Sequence, residues 1–293
     1  MGIGDEIKKT FRHGSSLTRL IYLNVAVFVL ISIVSIIGYL LNNQELPVKI
    51  LNLFSVPSSL NSLIARPWTL ITYMFTHKEI LHILFNMLWL YWFGTIFLEY
   101  LDQKKLVGVY LLGGLTGAVV YIASFNIFPV FNTVVAESMA IGASASVMAV
   151  VVAISAYVPD YSVNMLFFGR IKIKYIAIAI FVFTSIMDFS VNSGGKLAHI
   201  GGALLGYFYT ITLRRGYDLG KGLNKMLDFF FTLFKPRKKI KVTYKRPVND
   251  YEYKKVKAEH QEQINKILEK ISKGGYDSLT KEEKDLLFKE SQK

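Results

Sequence analysis

Ser144 stands in GASASVMAV (142–150), where small residues open an apolar run, and His199 stands in AHIGGALLG (198–206). A serine hydroxyl is a useful nucleophile only when a base takes its proton, and neutral imidazole titrates close enough to neutrality to do so. HILFN (82–86) adds His82 and Asn86, whose spacing of four puts them on one helical face. With the Ser144 backbone N–H at a helix start, they are candidate donors to the oxygen that turns negative when a carbonyl is attacked. Each residue also has a plainer reading. Small residues let membrane helices approach closely, which is the role expected of Ser146. A buried histidine can simply be bonded to a backbone carbonyl.

The elements that must position these residues follow from composition. The chain of 293 residues is 52% hydrophobic, yet Lys+Arg 34 against Asp+Glu 21 leaves a net charge of +13. A mean hydropathy of +0.37 beside that charge predicts a divided chain. Apolar runs fill about residues 20–213, and Lys, Arg and Glu dominate 214–293. The absence of Cys excludes disulfides, thiolate metal sites and cysteine nucleophiles. The first apolar run, 20–41, is too long for a cleavable signal and has no small-residue cleavage site after it. The opening MGIGDE lacks the Ser or Thr of a myristoylation signal.

Runs able to cross roughly 30 Å of hydrocarbon number six, near 19–41, 80–101, 105–127, 142–158, 171–188 and 197–213. Lys8, Lys9, Arg12, Arg19, Lys104, Lys105, Arg170, Lys172, Lys174 and the basic tail fall on one side, which predicts that both termini are cytoplasmic and loop 42–79 is outside. Ser144 precedes Val158, and His199 precedes Leu213, by fourteen residues each. At about 1.5 Å per residue both are expected roughly 21 Å above the cytoplasmic edge, with His82 and Asn86 at similar depth. Polar groups sharing one layer in lipid predict a common cavity, because an isolated one is costly there.

HILFN, GASA (142–145) and AHIGGALLG, in that order on the second, fourth and sixth runs, resemble the motifs of the rhomboid intramembrane serine proteases over about residues 17–213. The resemblance implies an all-α membrane protein, a six-transmembrane-helix bundle with an outward-facing water-filled cavity and a cytoplasmic helical tail. It implies that Ser144 is the nucleophile and His199 the general base and acid, with His82, Asn86 and the Ser144 backbone stabilising the oxyanion. Three positions depart from the family pattern. Ala145 replaces a common glycine, Met148 replaces an aromatic that stacks on the imidazole, and Thr69 follows Trp68 where an arginine is usual. Asp188 lies close enough to the fifth run's end to raise a Ser-His-Asp triad as a minor alternative, and His77 reads as a polar residue at the mouth of the second run.

The expected activity is endoproteolysis of transmembrane segments at a Ser-His dyad, with no cofactor and no metal. The expected location is a bacterial inner membrane. Two other readings are a catalytically silent rhomboid-like protein that binds membrane segments and a small transporter, whose sites also gather polar groups at the midplane. The expected partners are transmembrane protein substrates and the lipid bilayer, not nucleic acid, since positive-inside topology accounts for the basic charge.

The domain boundaries expected are a cytoplasmic segment 1–18, a membrane domain 19–213, a basic juxtamembrane segment 214–258 and a helical hairpin 259–293. In the third, Leu223, Met226, Leu227, Phe230 and Phe234 recur at helical spacing before PRKK, as in a helix lying on an anionic leaflet. In the fourth, Ile264, Ile267, Leu268 and Ile271 form a stripe, GGY breaks the helix, and Thr280 with Glu283 forms a capping box before Leu286 and Leu287. So small a hairpin buries little, and contact with a partner or with a second copy is expected.

Overall fold

The structure, a computed structural model, describes residues 10, 14–165, 169–233 and 250–291. It divides into two compact units, Met1–Phe234 and Lys235–Lys293. The first is built on α1 (Ser16–Leu40), α2 (Glu45–Phe54), α3 (Leu60–Ala65), α4 (Thr69–Thr72), α5 (Ile80–Tyr100) and α6 (Gln103–Ile127). It continues through α7 (Ser144–Tyr157), α8 (Ile173–Phe181) with a π-turn at Val182–Ile186, α9 (Ser193–Arg214) and α10 (Lys221–Leu233). Two small antiparallel pairs interrupt the helices: β1 (Val56–Pro57) with β2 (Met139–Ala140), and β3 (Ser162–Met165) with β4 (Gly169–Lys172).

The expectation of six membrane-crossing helices is corrected. Among the described residues, only α1, α5 and α6 are long and apolar enough to cross. The 14 residues of α7 span about 21 Å, short of the roughly 30 Å of hydrocarbon. α8 is shorter still, and glycines, threonines and Lys196 dilute the apolar character of α9. The physical reason is that an apolar run has the same appearance in sequence whether lipid or protein surrounds it. Ten residues of α7 are buried, whereas α1 leaves Leu30, Ile36 and Leu40 exposed. α7 is a core helix, and its backbone is enclosed by protein rather than matched to lipid.

Glycines set how closely its neighbours approach. A Cβ added at Gly202 of α9 would collide with the Ala145 carbonyl oxygen, and one at Gly206 with that of Ala149. Thr210 completes the seam by donating to the Ala153 carbonyl at 2.8 Å, and Arg214 donates to the Ala156 and Tyr157 carbonyls at the end of α7. From the other side, Gly113 of α6 meets the Ala149 methyl, and a Cβ at Gly117 would stand 2.6 Å from the Ala145 methyl. The methyl that distinguishes Ala145 from the family's usual glycine is thus received by a glycine opposite. Ser146 also faces α6, its Oγ 2.5 Å from where a Gly114 Cβ would be. This is the packing position expected for it.

The segment that enters α7 is fastened at successive residues to the long first loop. Val56 pairs with Ala140, the Gly142 N–H donates to the Tyr73 carbonyl at 2.9 Å, and the Ala143 N–H donates to His77 Nε2 at 3.2 Å. His77 is fully buried, so its reading as a polar residue at the rim is corrected: it is an internal brace for the residue before Ser144. The loop is braced in turn. Arg66 donates to the Asn52 carbonyl at 2.6 Å, Trp68 to that of Leu53 at 2.9 Å and Thr72 to that of Phe54 at 2.9 Å.

In the same unit α10 is tied to the start of α6 by Asn224, which donates to the Lys104 carbonyl at 3.1 Å, and by the Lys104–Asp228 ion pair at 2.6 Å. Met226 and Phe229 remain exposed on it, with Leu223 and Leu227 half-buried. The Phe230 side chain, Phe234, PRKK and Lys8, Lys9 and Arg12 lie outside the described residues. The second unit contains α11 (Asp250–Gly274) and α12 (Lys281–Ser291). Thr280 and Glu283 exchange the two bonds of a capping box, and the Thr280 backbone N–H and Lys270 hold the Glu283 carboxyl below its ordinary range. Ile267 and Leu279 are buried, but Leu268, expected in the same stripe, is exposed.

Two substitutions, each paired with a control, test this scaffold by thermal unfolding in detergent. Gly202→Ala should lower stability by about 1–3 kcal/mol through overpacking on the Ala145 carbonyl. Gly222→Ala, where nothing lies within 4 Å, should cause no loss. His77→Leu should cost about 1–3 kcal/mol by leaving the Ala143 N–H buried without an acceptor. His77→Gln, which keeps an acceptor, should recover part of that loss.

Candidate active site

Ser144, His199, His82 and Asn86 line one cavity of about 520 Å³, together with Met148 and Thr184. Four helices supply them. Ser144 opens α7, His199 is in the second turn of α9, His82 and Asn86 are in the first turns of α5, and Thr184 is in the π-turn that ends α8. The packing of Gly202 on Ala145 explains why the first two meet, since it joins the residue after Ser144 to the residue one turn beyond His199. A cavity of similar size, about 540 Å³, lies between α7, α8 and α9. Its walls are almost wholly apolar, so it offers no comparable set of acid–base and donor groups.

The approach to Ser144 needs a glycine. Gly142 has φ +117, and a Cβ there would stand 2.7 Å from His82 Cε1 and 2.9 Å from His82 Nε2, while the same point is 3.8 Å from Ser144 Oγ. The His82 imidazole therefore rests on the backbone just ahead of the candidate nucleophile. Asn86 is buried and gives one amide hydrogen to the His82 carbonyl at 2.8 Å, leaving the other as a donor. The Gly142 and Ala143 N–H groups are occupied by Tyr73 and His77, but the Ser144 N–H makes no bond among the described residues. As one of the orphan donors of a helix start, it is available to an incoming oxygen.

Ser144 and His199 share the cavity, but among the described residues no hydrogen bond joins them. His199 instead places Nδ1 3.1 Å from the Thr184 main-chain oxygen. Among the described residues the Asp188 carboxylate makes no hydrogen bond to His199, and its main-chain carbonyl accepts from Lys196 at 2.5 Å. The contact a triad carboxylate would make with the imidazole is taken by a backbone carbonyl. Met148 is buried in the wall where a stacking aromatic was absent from the sequence. Thr69 donates to the Arg66 carbonyl at 2.6 Å, and the Arg66 side chain donates to the Asn52 carbonyl at 2.6 Å. Among the described residues no group of three or more His, Asp or Glu side chains is arranged to hold a metal ion.

Sequence reasoning missed the contacts made by His77 and Thr184. The first is five residues before His82 and gave no sign of reaching Ala143. The second acts through its main chain, for which side-chain identity carries no signal.

Comparison with known proteins bears on both units. Residues 249–293 match a family of unknown function, DUF6576. No curated protein matches the chain. Residues 65–216, which include all four cavity residues singled out from the motifs, match the rhomboid domain. That match spans just over half of the sequence, and the chain belongs to the rhomboid family.

Proposed function

We propose that this multi-pass membrane protein is an intramembrane serine endopeptidase that cleaves transmembrane segments of other proteins, with both termini in the cytoplasm. The observation that carries the reading is the single cavity lined by Ser144, His199, His82 and Asn86. Ser144 Oγ attacks the carbonyl carbon of a substrate peptide bond, and its proton passes to His199 Nε2. The carbonyl oxygen, now negative, accepts hydrogen bonds from the Ser144 N–H, His82 and Asn86. Collapse of the tetrahedral intermediate breaks the C–N bond, and His199 returns the proton to the leaving amine. A water then attacks the acyl ester, giving its proton to His199, and Ser144 is released with its hydroxyl restored. The absence of a Ser144–His199 bond in the free protein is compatible with this course, because such bonds often tighten only when substrate is present.

A silent rhomboid-like protein that binds membrane segments would keep the cavity and lack the chemistry. Incubating the purified protein in liposomes with single-span substrates, and reading products by gel and mass spectrometry, separates the two. Ser144→Ala should abolish cleavage in a folded protein, while Ser146→Ala, on the α6 side, should retain it. A serine-directed fluorophosphonate should label Ser144, and labelling should fall in His199→Ala. Equal labelling in that variant would remove His199 from the role of base.

His82→Ala and Asn86→Ala should each lower turnover far more than apparent affinity, since oxyanion donors act on charge that exists in the transition state. A lone donor is worth on the order of 10²–10³ in rate, and sharing one oxygen should make the double variant less than additive. Steady-state kinetics on the two single variants and the double variant decide this. An effect on KM alone would make HILFN a substrate-contact element.

A further inference from the structure

We propose that the π-turn at the end of α8 orients the general base, by aiming the Thr184 main-chain carbonyl at His199 Nδ1 in the position a carboxylate holds in a Ser-His-Asp triad. The proposal rests on the assignment of His199 as base. A carbonyl oxygen can only accept, so Nδ1 at 3.1 Å from it carries the hydrogen. That leaves the lone pair on Nε2, the atom that must receive the serine proton. The contact therefore selects the working tautomer and holds the ring, two tasks for which, among the described residues, neither a hydrogen-bonded carboxylate nor an aromatic stacked on the imidazole is present.

The turn makes this carbonyl available. In a continuing α-helix the N–H four residues on, that of Asp188, would occupy the Thr184 oxygen. Here the Met187 N–H reaches five residues back to the Val182 carbonyl at 3.0 Å, and Met187 then turns to extended backbone. Asp188 follows at φ +51, and among the described residues its N–H makes no bond to Thr184. One-turn π segments commonly mark functional sites, because they redirect backbone groups in this way.

The same face of α9 fastens the turn. Lys196, three residues before His199, donates to the Met187 and Asp188 carbonyls. The Asn192 side chain caps α9 by accepting from the Gly195 N–H at 3.2 Å, and Thr184 fixes its own side chain on the Ile180 carbonyl at 2.8 Å. Two side chains of α9, His199 and Lys196, thus hold three backbone acceptors at the exit of α8, those of Thr184, Met187 and Asp188. Thr184 is a positioning residue, acting through the imidazole and not on the substrate.

The test is made on the full chain in lipid nanodiscs. Replacing Ser185 by its α-hydroxy acid turns the 184–185 amide into an ester and weakens the Thr184 carbonyl as an acceptor, with every side chain kept. The same change at Ile186 weakens the neighbouring carbonyl and is the control. The Ser185 ester should lower turnover roughly five- to tenfold with KM nearly constant, and the control should not. Deletion of Phe183, which restores α-helical spacing, should give a similar split. Nitrogen NMR of labelled histidine, assigned with His199→Gln, should show neutral His199 protonated at Nδ1 in the unmodified chain and a tautomer mixture in the Ser185 ester. Failure of the unmodified chain to cleave any substrate would sink the peptidase reading, leaving the NMR result to judge the hydrogen bond by itself. An Nε2–H tautomer in the unmodified chain, or equal responses to the two esters, overturns the proposal.

Discussion

The contact on which the site depends is the backbone approach of α9 to α7. With Gly202 against the Ala145 carbonyl and Gly206 against that of Ala149, the two helices meet without side chains between them. In lipid such an approach gains packing that a hydrophobic driving force does not supply, since tails are as apolar as side chains. Its functional consequence is register. Ser144 and His199 are each within one turn of the contact, so a helix shift of a few ångströms at Gly202 would carry them apart. Thr210 on the Ala153 carbonyl and Arg214 on the last turn of α7 hold the same register farther along the seam.

A second requirement is that polar groups inside the bundle find partners, and several of them do so by joining elements distant in sequence. Tyr73 donates to the Gly114 carbonyl at 2.5 Å. Asn24 donates to the Tyr110 hydroxyl at 3.0 Å, and Tyr110 to the Met74 carbonyl at 3.1 Å. These bonds run from α1 through α6 to the first loop, which in turn braces the segment leading into Ser144 through Tyr73 and His77. The long loop is therefore structural in a way its position between two apolar runs does not suggest. Each bond is worth more for occurring where water cannot replace it.

The candidate chemistry is distributed on the same plan. α7 brings a hydroxyl and a helix-start N–H, α9 an imidazole, α5 two donors and α8 a carbonyl, with no two neighbouring helices sufficient alone. Such a division makes the cavity sensitive to the placement of every wall. It also lets rigid helix ends carry groups that must not move, which is the arrangement that preorganised electrostatic catalysis requires.

The motifs singled out Ser144, His199, His82 and Asn86, because residue type and helical spacing are properties of a linear pattern, and the rhomboid relationship followed from their order. Sequence also made legible the Thr280–Glu283 capping box, whose two bonds depend on residues three apart, and the packing role of Ser146. Tertiary structure decided the rest. Hydropathy registers that a residue is apolar and not what covers it, so the enclosed α7 was counted with the largely uncovered α1 among the crossing helices. His77 as a buried brace required the first loop to fold under Ala143, a contact across 66 residues. The Thr184 carbonyl required a π-turn, and every residue has a carbonyl, so side-chain identities in the sequence could not distinguish this one. What the linear pattern determined were the candidate reacting groups; which backbone atoms hold them was decided by packing, because backbone atoms are the same at every position until the fold gives each a different neighbour.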